Sequence, residues 1–229
     1  MNYRASKIRS SNVAFVLTPD LLKRLAVILG EVSKQLEFTV KFADGVSVDY
    51  ANVEEIIDQP NSERRSIVGL IAGTTGDETS ANVVLKSKFA SEQKLPIEYT
   101  LNGPQRSVIY LADQLDDWVA ATSQWYSRLL SPTYMVPIGI GAFFLPLYVT
   151  SRVTDFLTAK GFPSWAGLIA LGLMVLAEYF FFKLFPRGTF AIGRGAARHQ
   201  FLKGFQVVVL IGLAVSIVGG VIANMLTKH

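Results

Sequence analysis

Residues 38–50 read FTVKFADGVSVDY. Phe38, Val40 and Phe42 alternate with Thr39 and Lys41, and beyond Asp44-Gly45 the residues Val46, Val48 and Tyr50 alternate with Ser47 and Asp49. Alternation with a period of two gives each segment one apolar face, and Asp-Gly supplies the backbone freedom of a tight turn. The stretch therefore predicts a β-hairpin, and an antiparallel sheet at the front of the chain.

The flanking sequence is consistent with that sheet. Upstream, residues 12–17 (NVAFVL) read as a short strand, and Thr18-Pro19-Asp20 provides an N-cap, a proline at the first helical position and an early acid. A helix to about Gln35 should follow, with Leu21, Leu22, Leu25, Ile28, Leu29 and Val32 on its apolar face. Downstream, residues 52–58 predict a short helix. Residues 66–74 and 80–89 flank Thr75-Gly76-Asp77-Glu78 as a second hairpin, and 97–101 add a further strand. After Asn102-Gly103-Pro104 the apolar spacing lengthens to three and four, from Val108 through Leu111, Leu115, Trp118 and Val119 to Leu129, which predicts a long amphipathic helix to Leu130. The expected unit is an α+β domain over residues 1–128, its antiparallel sheet packed on two main helices.

The second half has a different composition. Residues 129–151 and 204–227 contain no Asp, Glu, Lys or Arg, and 161–182 contain only Glu178. A bilayer core of about 30 Å needs roughly 20 such residues as a helix. Hydropathy thus predicts an all-α membrane region over 129–229, with three transmembrane helices at about 132–151, 164–183 and 205–226. Residues 183–203 carry Lys183, Arg187, Arg194, Arg198 and Lys203 without an acid, which on the positive-inside rule faces the cytoplasm. The α+β domain is then expected in the cytoplasm and the chain in a bacterial inner membrane. The opening MNYRASKIRS is basic but precedes no clean apolar core of a signal peptide, so no cleavable signal is expected.

Charge and composition remove several function classes. Residues 1–128 hold 14 basic against 16 acidic side chains and the remainder 8 against 2, so the basic excess is not on the α+β domain. Nucleic-acid binding, which wants a basic face there, is not expected. The absence of cysteine removes disulfides, thiolate nucleophiles and Cys-ligated metals. His199 and His229 are the only imidazoles. No P-loop or GxSxG motif occurs, and the acids of the front domain read as turn or solvated-helix residues. No catalytic, cofactor-binding or metal-ligating residue is assigned, and the expectation is a protein that is not an enzyme.

The candidate functional residues lie in the second half. Glu178 and Asn224 are polar positions within apolar runs and would line a pore or an intramembrane polar site. Gly212, Ser216 and Gly220 share a helical face with Asn224 at a spacing of four, which favours close helix packing and self-association. Arg187, Arg194 and Arg198 would meet anionic lipid headgroups. Gly193 and Gly195 permit backbone amides to approach an anion, but G-x-G without a strand and helix around it is no nucleotide motif, and lipid contact or topology determination is the expectation for this loop. Phe185-Pro186, Phe190, Ile192-Gly193 and Gly195 form the pattern FP-x3-F-x-IG-x-G before the last apolar run. It resembles a pattern in bacterial multi-pass membrane proteins with a soluble amino-terminal domain, over about a fifth of the chain, and implies a bacterial origin without an activity. The resulting expectation is a cytoplasmic domain that binds a protein or small ligand, coupled to a self-associating region in the lipid bilayer that alters permeability. The alternative is a membrane anchor or scaffold recruiting a cytoplasmic partner.

Overall fold

The computed structural model describes residues 3–33, 35–76, 78–87, 95–130 and 183–226, together with Gly172. Along it run β1 (Arg4–Ser11), β2 (Phe15–Leu17), α1 (Pro19–Gly30), β3 (Leu36–Phe42), β4 (Ser47–Tyr50), α2 (Val53–Ile57), β5 (Ile67–Thr75), β6 (Ser80–Lys86), β7 (Ile97–Pro104), α3 (Gln105–Thr122), a 3₁₀ segment (Trp125–Leu130), β8 (Gly188–Phe190) and α4 (Arg194–Leu226).

The 38–50 hairpin forms with Phe38 opposite Tyr50 and Val40 opposite Val48. Its turn places Gly45 at φ 87°, and the Asp44 carboxylate accepts the Val46 N–H at 3.1 Å. Pairing extends through all six strands of an antiparallel sheet in the order β1-β7-β6-β5-β3-β4. Phe38, Val40, Leu70, Val83, Leu85 and Leu101 are buried on its inner face, where α1 and α3 cover them. Thr18 caps α1 by accepting the Leu21 N–H at 3.3 Å. Trp118 of α3, fully buried, donates its indole N–H to the Leu21 carbonyl of α1 at 2.8 Å, fixing the two helices against each other.

Several elements depart from the sequence reading: α1 stops at Gly30 rather than about Gln35, and Gly188–Phe190 forms a strand where none is expected. The long helix ends at Thr122 because Ser123 adopts an extended conformation and bridges to Phe15; Trp125–Leu130 continues as a 3₁₀ turn. Residues 4–11, which show no amphipathic period, form an eight-residue edge strand held by backbone pairing to β7.

The membrane assignment requires correction. The expected spans at about 132–151 and 164–183 fall almost wholly outside the described residues, as does Glu178. The third, at about 205–226, lies in α4. Among the described residues no helix is long and apolar enough to cross a membrane, which overturns the all-α region of three transmembrane helices and the inner-membrane location inferred from it. Hydropathy scores a run as if it stood alone. α4 instead begins inside the α+β body, where Arg198 and Gln206 hydrogen-bond to Asn61 and Leu184.

Candidate functional site

The segment that brings α4 onto the sheet joins distant parts of the chain among the described residues. β8 pairs in parallel with β2, Phe15 opposite Gly188 and Leu17 opposite Phe190. The Phe15 N–H donates to the Arg187 carbonyl at 3.0 Å, and the Ala191 N–H to the Leu17 carbonyl at 2.8 Å. Phe190 and Ile192 are buried in the main core, and the Phe190 ring meets Phe15 edge-on at 5.7 Å. Burial of two such side chains contributes about 1.5–3 kcal/mol each. Phe185 forms a second, smaller cluster with Ala14 and Tyr126, and the Tyr126 hydroxyl donates to the Pro186 carbonyl at 2.9 Å.

Asn61 ties these pieces together. It is almost fully buried and sits at φ 44°, the left-handed region that asparagine tolerates better than most residues. Its side-chain amide donates to the carbonyls of Phe190 and Ile192, both at 3.0 Å, while its side-chain oxygen accepts the Ile67 N–H at 2.9 Å. Arg198 donates to the Asn61 backbone carbonyl at 2.7 Å and to its side-chain oxygen at 3.3 Å. One buried side chain thus joins the start of β5, the end of β8 and the first turns of α4.

The glycines of FP-x3-F-x-IG-x-G are explained by this packing. Gly193 is at φ 53°, and a Cβ there would lie 2.3 Å from the Gln59 carbonyl oxygen. A Cβ on Gly195 would lie 2.2 Å from the Phe190 carbonyl oxygen and 2.3 Å from the Asn61 amide nitrogen. The nearby amides are already used: Arg194 N–H donates to Pro60, Gly195 N–H to Ile192 and Ala196 N–H to Gly193. The anion approach that the glycine spacing would permit is therefore replaced by close contact between two parts of the chain.

The basic residues separate in the same way. Arg198 is spent on Asn61. Arg187 is half-buried, and burial lowers its pKa from the ordinary value. Arg194 has an exposed side chain. Gly212 and Ser216 are exposed on α4, and a Cβ on Gly212 would meet nothing within 4 Å. Gly220 and Asn224 lie within α4. Between the 3₁₀ segment and α4 is a cavity of about 230 Å³ lined by Thr18, Trp125, Tyr126, His199, Lys203 and Gln206. Burial and the neighbouring Lys203 charge lower the His199 pKa from 6.5. Among the described residues no group of three or more His, Asp or Glu is placed to hold a metal ion.

Asn61 escaped the sequence reading because nothing local marks it as a hub. The available signal was the pair of glycines directly after Phe190 and Ile192, since glycines beside buried apolar residues indicate close backbone approach as readily as ligand contact. No protein-family model, curated protein or solved structure matches this chain.

Proposed function

We propose that this protein is a non-enzymatic coupling protein, in which an α+β body that binds a partner or ligand governs the association of α4 with copies of itself. The observation that carries this reading is the character of α4. Its first turns are clasped in the body by Arg198 and Asn61, whereas farther along Phe201, Phe205, Val207, Val208, Val209, Ile211 and Val215 are exposed, and within this surface Phe201, Phe205, Val208, Gly212 and Val215 are spaced four, three, four and three apart. That spacing gives one heptad seam within a broader apolar surface, along which apolar knobs of one helix can seat in the holes of an equivalent helix, and Gly212 leaves room for close approach. Phe201 and Phe205 already stack at 6.4 Å, giving the seam a flat aromatic start.

Because the clasp fixes where α4 leaves the body, a change at the sheet or at α2 would alter how the seam is presented. The permeability change expected from three spans is withdrawn with them. The alternative, a scaffold that only recruits a partner, needs no seam. Light scattering of the purified full chain separates the two: a defined oligomer is expected, and the double change Val208→Glu, Val215→Glu should shift it to smaller species. The same mass for both proteins would reject the self-association reading.

A further inference from the structure

We infer that the outer edge of β1 is a docking strand for an extended acidic peptide of a partner protein. This names a partner class for the body and rests on reading that body as a partner-binding unit. The six-stranded sheet ends in β1 on one side and β4 on the other. In an antiparallel pair each strand turns half of its N–H and C=O groups toward its neighbour and half away. β1 is eight residues long and pairs only with β7 among the described residues, so its outward groups form a template for one more strand. β4 offers only four residues.

The charge pattern selects the occupant. β1 carries Arg4, Lys7 and Arg9 and no acid, and a single carboxylate, Asp116 of α3, serves both Lys7 and Arg9. That same carboxylate also accepts the Tyr99 hydroxyl at 2.6 Å, and with Glu98 of β7 opposite Ser10 it sets two acids against the three cations of β1, so the edge keeps a positive excess. Lys7 and Arg9 are two residues apart and therefore share one face of the strand. A peptide with carboxylates at alternate positions would set them beside these two cations. A second copy of β1 would instead lay a strand with three cations and no acid against another of the same kind, which is unfavourable.

A groove at the carboxyl-terminal end of β1 extends the site. It has a volume of about 690 Å³ and is lined by Arg9, Ser11, Asp116, Trp125 and Arg128, among others, with Trp125 59 % exposed. A peptide running along β1 would enter it with an apolar residue over Trp125 and a further acid near Arg128. The edge supplies backbone hydrogen bonds, the cations supply sign, and the groove supplies direction.

The test uses the full chain and a fluorescent ten-residue peptide that alternates Glu with Val and ends in Phe. Binding should slow amide exchange over residues 4–11. It should weaken about fivefold for Lys7→Gln, and weaken again at high salt. A peptide with Lys in place of Glu, or with Pro at alternate positions, should not bind. Equal binding of the Glu and Lys peptides, or protection confined to other strands, overturns the inference. So does the absence of binding, or protection of residues 4–11 that rises with protein concentration alone, which would identify a second copy as the occupant. Peptide binding by a chain that light scattering shows to be monomeric would remove the α4 seam and leave this site standing.

Discussion

Arg198 reaches from the second turn of α4 to the backbone carbonyl of Asn61 at 2.7 Å, joining residues 137 positions apart in sequence. Asn61 in turn holds the carbonyls on either side of Ala191, so the entry to α4 is fixed through one buried asparagine.

Replacing Asn61 with Ala orphans the Phe190 carbonyl and the Ile67 N–H and leaves the Ile192 carbonyl with the Gly195 N–H alone. The expected loss is about 2–4 kcal/mol of unfolding free energy, because the stranded groups lose their partners without regaining water. Arg198→Ala should cost less, since it strands only the Asn61 backbone carbonyl while the Asn61 side-chain oxygen keeps the Ile67 N–H. In urea unfolding the double variant should be less destabilised than the sum of the singles. Additive losses would show that the two residues act independently.

The glycines give a graded comparison. Gly193→Ala and Gly195→Ala force a Cβ to within 2.3 Å and 2.2 Å of carbonyl oxygens, so each should destabilise by about 1–3 kcal/mol. Gly204→Ala, in α4 with nothing within 4 Å, should be neutral or gain about 0.5–1 kcal/mol from helix propensity. Thermal melts of the three variants check the order, and equal shifts would contradict the packing described around Asn61.

Acid should weaken the fold through His199. Its folded pKa lies below 6.5, so the unfolded chain takes up the proton first. Stability is therefore undiminished above 6.5, falls as pH drops from that value to the folded pKa, and levels off below it. His199→Gln should flatten this part of the pH dependence of urea midpoints. An unchanged slope would place the acid sensitivity elsewhere.

Two tyrosines should resist alkali. Burial raises Tyr126 to about 12, and burial with the Asp116 hydrogen bond and charge raises Tyr99 to about 12. A raised folded pKa means that stability is intact below the ordinary value of 10 and is lost as pH climbs from 10 toward 12. Ultraviolet titration should show a late phenolate component, reduced in Tyr99→Phe and in Tyr126→Phe. Its absence would mean that these hydroxyls are open to water.

Local pattern revealed much of the sheet. The 38–50 hairpin, the Thr18 cap of α1 and the apolar face of α3 each depend on neighbours within one strand, turn or helix, where residue spacing is a direct record of geometry. β1 left no such record: its residues alternate little, and it exists because β7 has an edge to pair with. The glycines of the 193–195 segment were visible, but their purpose was not, since close approach and anion contact ask for the same residue.

By itself, the sequence determined the strand and helix periods of the front half, the lack of thiol chemistry and the apolar character of the second half. Tertiary structure alone decided that Phe190 and Ile192 belong to the main core and that Arg198 faces Asn61. It likewise decided that α4 is anchored in the body, and that the edge of β1 is open among the described residues. Period and hydropathy record what a segment prefers within a few residues of itself. Hydrogen bonds spanning 129 and 131 residues depend on which distant backbone happens to arrive, and only the folded chain specifies that.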